Sequence, residues 1–462
     1  MSQTVSCLTE AMDRRPRWDS DVAVVGLGYV GLPLAVAAQR AGRRTAGFDI
    51  SSKVVAQVSG GQASRVGVDA RSLKRAIKGG LTVSSSRSVL EGAETYLICV
   101  PTPLSADGRP DLSAVLAATR AVGEALQAGC LVVLESTPAP GTTQERVAPL
   151  LEEVSGLKAG RDFDLAFSPE RIDPGNRDFG LFNTPKIVGG TDSAATERAA
   201  RFYRGLVRTV VPVSSPLAAE LAKLLENTYR LVNLSLVNEF AAVCRELGVD
   251  AREVIDAAAT KPFGFSPFYP GPGAGGHCIP VDPVYLNDFC ERRLGRPLRL
   301  VTAAMAVNRE MPRVVADMVD AALGDSPRPP GAKPAAVLLL GISYKPDVCD
   351  TRESPAGPIA EVLGWRGRAV WYHDPLVLAE ERLSTGRRVW DHELALAVEA
   401  ADVVVLLQDH SRYDVADIAR RAVRFVNTRG GGAPDGASPA GGGDTRRQLL
   451  RHSSADREYP DS

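Results

Sequence analysis

Apolar residues follow two alternating patterns along this chain: short β-branched runs, and longer stretches with helical spacing. Such runs are typical of strands that are buried on both faces of a parallel sheet. They lie at 22–25, 45–48, 96–100, 131–135, 164–167 and 209–213, and again at 335–340, 369–372 and 403–407. Strands that alternate with helices predict an α/β protein with two Rossmann-like, doubly wound units.

A long helical pattern at 216–247 joins the two units, and Pro216 is the only Pro or Gly in it. About 30 residues at 1.5 Å each give a helix of about 45 Å. Its apolar surface is broader than one flanking unit should cover, so we expect it to form the core of a homodimer. Lys223 and Asn227 are four residues apart and share a face. Alternatively, Lys223 is a solvated residue that pairs with Glu220 or Glu226.

These patterns divide the chain into five segments. We expect a disordered extension at 1–20, a nucleotide-binding domain at 21–213, a central helical domain at 214–326, a second α/β domain at 327–429 and a disordered tail at 430–462. The tail consists of Gly, Ala, Pro and charged residues without periodicity, a composition that cannot bury enough apolar surface to fold. A second predicted helix, at 301–323, closes the central domain.

Composition narrows the function classes. The 462 residues include 54 basic and 55 acidic ones, a net charge of −1, so no basic surface argues for nucleic acid. No apolar run reaches the ~18 residues that span a bilayer, and the N-terminus lacks an apolar signal core. The seven cysteines are scattered without a CxxC pair, which argues against a metal site and for a reducing compartment. We therefore expect a cytoplasmic protein without membrane or nucleic-acid partners.

A glycine motif follows the first strand directly. Residues 26–31 read Gly-Leu-Gly-Tyr-Val-Gly, an Ala-rich helix follows, and the second strand ends at Asp49. In this context Gly26, Gly28 and Gly31 permit a tight turn, the approach of a pyrophosphate and close helix packing, while the helix N-terminus attracts phosphate. Asp49 would bind the ribose hydroxyls and repel a 2′-phosphate, which predicts NAD as the cofactor. FAD sites share the motif and remain an alternative at this point. Tyr29 and Val30, within the turn, are also candidate cofactor contacts.

Three later strands end in small polar turns that contain Thr102, Thr137 and Glu170. Ligands of open parallel sheets bind beyond the carboxyl ends of the strands, so Thr102 and Thr137 are candidate cofactor contacts. Glu170 is a candidate for activating water, although by itself it also fits an ordinary surface charge.

Residues 262–283 form a run with six prolines, five glycines and four aromatic residues around a single cysteine, Cys278. Proline excludes a helix here, and glycine permits close backbone approach to a ligand. Gly275 and Gly276 stand just before the cysteine, and Asp282 follows it by four residues. The run fits a ligand loop with a reactive thiol, or a surface loop with an inert one.

Together these motifs resemble the UDP-glucose/GDP-mannose dehydrogenase family of nucleotide-sugar 6-dehydrogenases, from about residue 21 to 429. The resemblance rests on GLGYVGLPL (26–34), ICVPTP (98–103), ESTPAPGTT (135–143), SPERIDPGN (168–176), AELAKLLENTYRLVN (219–233), GAGGHCIPVDP (273–283) and SYKPDVCDTRESP (343–355). Residues 260–286 are most similar to the branch that oxidises UDP-N-acetylglucosamine, and the UDP-glucose and UDP-N-acetylmannosamine enzymes are neighbouring branches.

The resemblance implies a four-electron oxidation of a sugar C6 alcohol to a carboxylate with two NAD. By motif position, Cys278 would be the nucleophile, Lys223 and Asn227 would hold an oxyanion, Asp282 would transfer a proton, and Glu170 with Thr137 would position water. Arg352 matches a cofactor contact. The implied substrate contacts are Glu170, Lys223, Asn227, Phe268, Tyr269, Gly275, Lys345 and Arg429, although the Gly-rich tail after Arg429 departs from the family pattern. We also expect the lysine ammonium to lower the pKa of the thiol.

Two other readings compete with this one. A two-electron dehydrogenase of small hydroxy acids would need a lysine but no cysteine nucleophile, so Cys278 discriminates against it. A catalytically silent nucleotide-binding protein would not need cysteine, lysine, asparagine and aspartate together.

Overall fold

The computed structural model describes residues 19–62, 68–173, 175–176, 178–324 and 331–430. The segments expected to be disordered lie outside these ranges, apart from Asp19, Ser20 and Gly430. Ser20 already belongs to the first strand, so the first domain begins slightly earlier than expected.

The first sheet has eight strands. They are β1 Ser20–Val25, β2 Thr45–Phe48, β3 Thr82–Ser84, β4 Ala93–Ile98, β5 Leu131–Leu134, β6 Asp164–Phe167, β7 Lys186–Gly190 and β8 Val210–Pro212. Their order is β3-β2-β1-β4-β5-β6-β7-β8, and every neighbouring pair is parallel except β6 and β7. The two sides of β1 face different cores, because Val22 and Val24 belong to one apolar cluster and Ala23 and Val25 to the other.

Helices cover both faces of this sheet. They are α1 Gly31–Arg40, α2 Ser52–Ser59, α3 Ala70–Lys78, α4 Ser113–Ala125, α5 Ala148–Ser155 and α6 Ser193–Arg204, and a π-helical turn, Thr143–Val147, precedes α5.

The long helix α7, Pro216–Glu246, follows the first sheet and ends one residue before its predicted limit. Ser215 caps its N-terminus by accepting a hydrogen bond from the Ala218 amide, and Pro216 occupies the first turn, where no amide is needed. Three more helices complete the central region: α8 Ala251–Ala259, α9 Asp282–Leu294 and α10 Arg299–Leu323. Of these, only α10 was predicted, from 301.

The second sheet has five parallel strands in the order β11-β10-β9-β12-β13. The strands are β9 Ala336–Leu340, β10 Ala369–His373, β11 Arg387–Arg388, β12 Val403–Leu406 and β13 Phe425–Asn427, with helices α11 Ala356–Trp365, α12 Leu394–Ala400 and α13 Val415–Arg421. In both sheets the first strand lies inside and later strands extend to either side of it. This order confirms the prediction of two doubly wound units, and α7 follows the first of them.

The predicted strands and the structure differ in detail. The strand expected at 96–100 is β4, Ala93–Ile98, because the chain leaves the sheet before Pro101. Strands β3, β7, β11 and β13 were not predicted; they have two to five residues each, and β7 ends in two glycines. In the described part of the chain, no helix combines the length and apolar content needed to cross a membrane.

Candidate active site

The glycine turn after β1 is shaped by contacts that exclude side chains. Gly26 has φ +93°, and a Cβ there would lie 2.5 Å from the Cys99 carbonyl oxygen. A Cβ on Gly31 would lie 1.8 Å from the Gly26 carbonyl oxygen, so α1 can begin this close to the strand only with glycine. A Cβ on Gly28 would meet nothing within 4 Å, which leaves this side of the turn accessible to a ligand.

The N-terminus of α1 and the end of β2 supply polar groups beside this turn. No side chain caps α1 at Val30, so the positive end of the helix dipole faces the turn and favours a phosphate there. Asp49 accepts hydrogen bonds from the amides of Leu27 and Ser51, both at 2.9 Å, which fixes the carboxylate next to the turn. These groups fit the pyrophosphate and ribose of a dinucleotide. Thr102 is buried at the β4 end of the sheet, and Thr137 is partly buried after β5.

The Cys278 loop lies against the second α/β unit. A Cβ on Gly275 would lie 2.6 Å from the Glu353 carbonyl oxygen, and one on Gly276, which has φ +88°, would lie 2.8 Å from the Tyr344 ring. The amide of Asp282 donates to the Cys278 carbonyl oxygen at 2.9 Å, so the loop turns directly into α9. Positions 275 and 276 thus require glycine because the loop packs closely against the second α/β unit. Cys278 follows just after this contact.

Helix α7 presents Lys223 and Asn227 to the same loop. Asn227 Nδ2 donates to Asp282 Oδ2 at 2.5 Å, and both residues are buried. The Lys223 ammonium forms no hydrogen bond or ion pair with another described residue, although its charge acts on both Asp282 and Cys278. The predicted alternative of a solvated pair is wrong. Glu220 binds residues of another loop, Glu226 binds Arg171 at 2.6 Å, and Lys223 is only 7 % exposed.

Burial sets the protonation of this cluster. It raises the pKa of Asp282 to about 6, against the opposing effects of Lys223 and the Asn227 hydrogen bond. Cys278 is exposed to the cleft, yet the protein atoms around it remove enough hydration to raise its pKa to about 11, with a further contribution from the Asp282 charge. Lys223 lowers the thiol pKa, as we expected, but it does not prevail. The net shift of the thiol pKa is therefore upward, and the ligand-free protein carries a neutral thiol at pH 7.

Glu170 follows β6, and its backbone surroundings hold it firmly. Its Oε1 accepts hydrogen bonds from the amides of Arg171, at 2.7 Å, and Ile172, at 2.6 Å. Its charge also acts on the Cys278 thiol, so the two side chains are within electrostatic reach of each other. Arg171 then binds Glu226 of α7, which ties this turn to the helix that carries Lys223.

Loops of the second unit extend toward the first. The Arg352 guanidinium pairs with Asp350 at 2.7 Å. It also lies 4.5 Å above the ring centre of Tyr29, which is a residue of the glycine turn. Lys345 Nζ donates to Asp173 Oδ1 at 2.6 Å. The structure therefore brings residues of both α/β units and the central helix to one cleft.

The remaining predicted substrate contacts lie along the 262–276 loop. The Phe268 ring packs edge-on against Tyr229 with 5.7 Å between ring centres, and the Tyr269 hydroxyl donates to Asp256 at 2.7 Å. A guanidinium nitrogen of Arg429 lies 3.2 Å from where a Cβ of Gly271 would be. These contacts order the loop and place Arg429 beside it.

Three family models cover most of the chain in order: the NAD binding domain of the UDP-glucose/GDP-mannose dehydrogenase family at 20–207, the central domain at 217–310 and the UDP binding domain at 338–429. The chain belongs to this family. It is accordingly an NAD-dependent oxidoreductase of the nucleotide-sugar dehydrogenase class.

Individual relatives agree with this assignment. The chain is 37 % identical over 394 residues to a UDP-N-acetyl-D-mannosamine dehydrogenase of Pyrococcus horikoshii, covering 85 % of this chain and 90 % of that one. It is 36 % identical over 367 residues to a UDP-N-acetyl-D-glucosamine 6-dehydrogenase of Pseudomonas aeruginosa, covering 79 % and 85 %. A UDP-glucose dehydrogenase structure from Pyrobaculum islandicum superposes with a TM-score of 0.78 at 28 % identity, covering 90 % and 99 %.

One residue of this dehydrogenase escaped the sequence analysis. Glu220, fully buried on α7, accepts hydrogen bonds from the Gly141 amide at 2.6 Å, the Thr143 amide at 3.0 Å and the Thr143 hydroxyl at 2.6 Å. It thereby fixes the turn that follows Thr137, and burial raises its pKa to about 7. The sequence signal that could have indicated this residue was an acidic side chain one turn before Lys223 in a largely apolar helix. No group of residues suited to a metal ion occurs among those described.

The thiol pKa generates a prediction. In the ligand-free enzyme, iodoacetamide should alkylate Cys278 slowly at pH 7, and the rate should rise about tenfold per pH unit toward pH 10, because the thiolate is the reactive form. Asp282→Asn should speed alkylation at pH 8 by removing a negative charge, and Lys223→Met should slow it. Cys278→Ala gives the background rate of the other cysteines. A rate that levels off below pH 8 would contradict the raised pKa.

Proposed function

We propose that this dehydrogenase oxidises the C6 alcohol of a UDP-hexose to a carboxylate in two NAD-dependent steps, with the sugar held covalently on Cys278 between them. One observation carries the proposal: the only exposed cysteine of the six described faces the same cleft as Lys223, Asn227 and Asp282. A two-electron dehydrogenase would have no use for this thiol.

The chain's own residues account for each proton. In the first oxidation a hydride leaves C6 and the C6 hydroxyl loses its proton to Asp282, which gives the aldehyde; the raised pKa of Asp282, about 6, suits a general base near neutral pH. The Cys278 thiol then adds to the aldehyde: the S–C bond forms and the thiol proton passes to the oxygen, so no free thiolate is needed. After Asp282 has released the first proton to solvent, it accepts this proton as the second hydride leaves, and a thioester remains. NAD, when bound, accepts the hydride in each oxidation.

Lys223 and Asn227 are suited to the charge that develops on the sugar oxygen. The Lys223 ammonium has no partner among the described residues, and the Asn227 amide uses one of its two N–H donors on Asp282. For the final step, water attacks the thioester carbon while Glu170 accepts its proton and Thr137 helps to hold it. The C–S bond breaks, and the leaving Cys278 sulfur takes the proton that Glu170 had accepted, so the carboxylic acid and the free thiol remain.

The mechanism predicts a stoichiometry. The wild-type protein should form two NADH per sugar oxidised, and Cys278→Ala should lower the steady-state formation of uronic acid by orders of magnitude, because the aldehyde is no longer captured. The variant should still bind NAD, since the glycine turn and Asp49 are unchanged. The measurement compares NADH with uronate for both proteins. One NADH per sugar in the wild type, or normal acid formation by the variant, would exclude the covalent route.

The substrate we propose is UDP-N-acetylglucosamine. The sequence of 260–286 supports it, as does the relative that is named a UDP-N-acetyl-D-glucosamine 6-dehydrogenase. A similarly identical relative is named for UDP-N-acetylmannosamine, which makes that epimer the second candidate. Both sugars bear an acetamido group at C2.

Initial NADH formation with a panel of UDP-hexoses should therefore show a kcat/KM for UDP-N-acetylglucosamine at least about tenfold above that for UDP-glucose, a difference of about 1.4 kcal/mol. UDP-N-acetylmannosamine belongs in the same panel. A preference for either other sugar would reject the substrate and leave the chemistry standing.

We also propose that α7 forms a homodimer. Its outward face carries an apolar stripe: Leu225, Tyr229, Leu236, Phe240, Val243 and Leu247, whose exposure ranges from 40 % to 73 %. The spacing of three, four or seven residues keeps them on one side of the helix, opposite Lys223 and Asn227. A long self-complementary stripe suits a second copy of the chain across a twofold axis.

Light scattering should accordingly give twice the 49.0 kDa of one chain, and Leu236→Asp with Phe240→Asp should give the single-chain mass. Leu396→Asp, at another exposed apolar position on α12, is the matched control and should leave the mass unchanged. A wild-type monomer at micromolar concentration would disprove the dimer.

A further inference from the structure

A lysine is buried beneath the cleft, where the proposed reaction assigns it no task. Lys186 begins β7 and is 3 % exposed. Its ammonium donates to Glu135 Oε2 at 2.5 Å and to the Pro169 carbonyl oxygen at 3.0 Å, and the Tyr203 hydroxyl donates to the other Glu135 oxygen. Burial opposes the charge, but Glu135 and Glu170 raise the pKa of Lys186, so it stays protonated.

The reversed direction of β7 explains how this cation reaches the cleft. In a parallel strand the first residue lies at the amino edge of the sheet, far from a ligand. Because β7 runs antiparallel to β6, with Ala166 opposite Gly190 and Phe167 opposite Gly189, continuing the register places Lys186 opposite Glu170. The strand reversal thus delivers a buried positive charge to the edge where β5 and β6 end.

Glu170 has an oxygen directed at this cation. Its Oε1 is held by two backbone amides, whereas its buried Oε2 makes no hydrogen bond with any residue that the structure describes and lies 3.9 Å from the Lys186 ammonium. An ammonium has three donors, and two of those of Lys186 are used by Glu135 and Pro169. The positive charge of Lys186 therefore also acts on the Glu170 carboxylate, whose Oε2 the fold holds 3.9 Å from the ammonium nitrogen.

The same lysine joins the two loops that hold the proposed water site. Glu135 stands two residues before Thr137 at the end of β5, and Pro169 stands directly before Glu170 at the end of β6. Two hydrogen bonds from one buried atom therefore fix the distance between these loops. A displacement of either loop would break a hydrogen bond to a buried charge, which is costly.

We propose that Lys186 is a positioning residue for the hydrolytic step: it sets the spacing of Thr137 and Glu170 and holds the Glu170 carboxylate in place to accept the proton of the attacking water. This inference rests on the proposed function. It assigns Lys186 no role in either oxidation, because neither requires water to be activated.

The test compares two variants that differ only at Lys186. Glu135→Gln removes the buried carboxylate but keeps the ammonium, its hydrogen bond to Pro169 and its approach to Glu170. Glu135→Gln with Lys186→Met removes both members of the buried ion pair, so neither is left charged without the other, and Tyr203 can still donate to the new amide oxygen. Thermal unfolding of both proteins checks that they fold.

Each variant is mixed with NAD and UDP-N-acetylglucosamine, or whichever UDP-hexose proves active, then quenched in acid and weighed by intact mass spectrometry. In the double variant we expect the first two NADH per site to form at the rate seen in Glu135→Gln, whereas thioester hydrolysis should fall about 10²-fold and acylated Cys278 should accumulate. Lys186→Arg in the Glu135→Gln background should retain most of the hydrolysis rate, because arginine keeps the positive charge.

The outcomes separate the two ideas. Equal acylation and equal hydrolysis in both variants would overturn the role of Lys186, as would a loss of oxidation that matches the loss of hydrolysis. If the double variant fails to fold, Lys186→Gln in the native background serves instead, because it removes the ammonium charge but keeps an N–H donor, and hydrolysis slowed no more than oxidation would overturn the role. If no protein carries a Cys278-bound adduct at any time, although wild type forms acid, the covalent mechanism itself fails.

Discussion

The hydrogen bond from Asn227 to Asp282 is the contact on which the site depends. It joins the longest helix of the protein to the loop that carries the thiol, and it lies between residues that are 55 apart in sequence. Asp282 is also the first residue of α9, where a carboxylate interacts favourably with the helix dipole. Leu224 of α7 belongs to the same apolar cluster as Val281, which directly precedes Asp282. This packing and the hydrogen bond together fix the position of α7, and with it Lys223, relative to the thiol.

Neighbouring contacts protect that register. Glu220 fastens α7 to the turn after β5, and Glu226 fastens it to the turn after β6 through Arg171. Two turns of one helix, residues 220–227, thus hold two strand-end loops and the cysteine loop. A rigid helix serves this purpose well, because its residues keep fixed distances from one another that separate loops would have to maintain individually. The second α/β unit closes the cleft through Arg352, which lies over Tyr29.

Much of the fold and of the candidate site could be predicted from the sequence, because several local motifs depend on particular residue types. The glycine turn, Asp49, the long helix and the Pro/Gly-rich cysteine loop each need particular residue types, so both doubly wound sheets and the NAD binding domain were predicted. Features that arise from tertiary pairing were not. The sequence of β7, Lys-Ile-Val-Gly-Gly, indicates neither a strand nor its reversed direction, and Lys186 reads there as an ordinary solvated residue. The thiol pKa was predicted in the wrong direction, because sequence shows the nearby lysine but not the loss of hydration. The roles of the individual site residues remain predictions.

The neutral state of Cys278 has a consequence for the enzyme at rest. Peroxide oxidises thiolates and largely spares thiols, so an exposed cysteine of ordinary pKa in an open cleft would be vulnerable whenever no sugar is present. Here the Cys278 residue is exposed, and dehydration together with the Asp282 charge keeps the thiol proton in place. The raised pKa thus shields the sulfur from oxidation, so exposure of this residue does not compete with protection of its thiol.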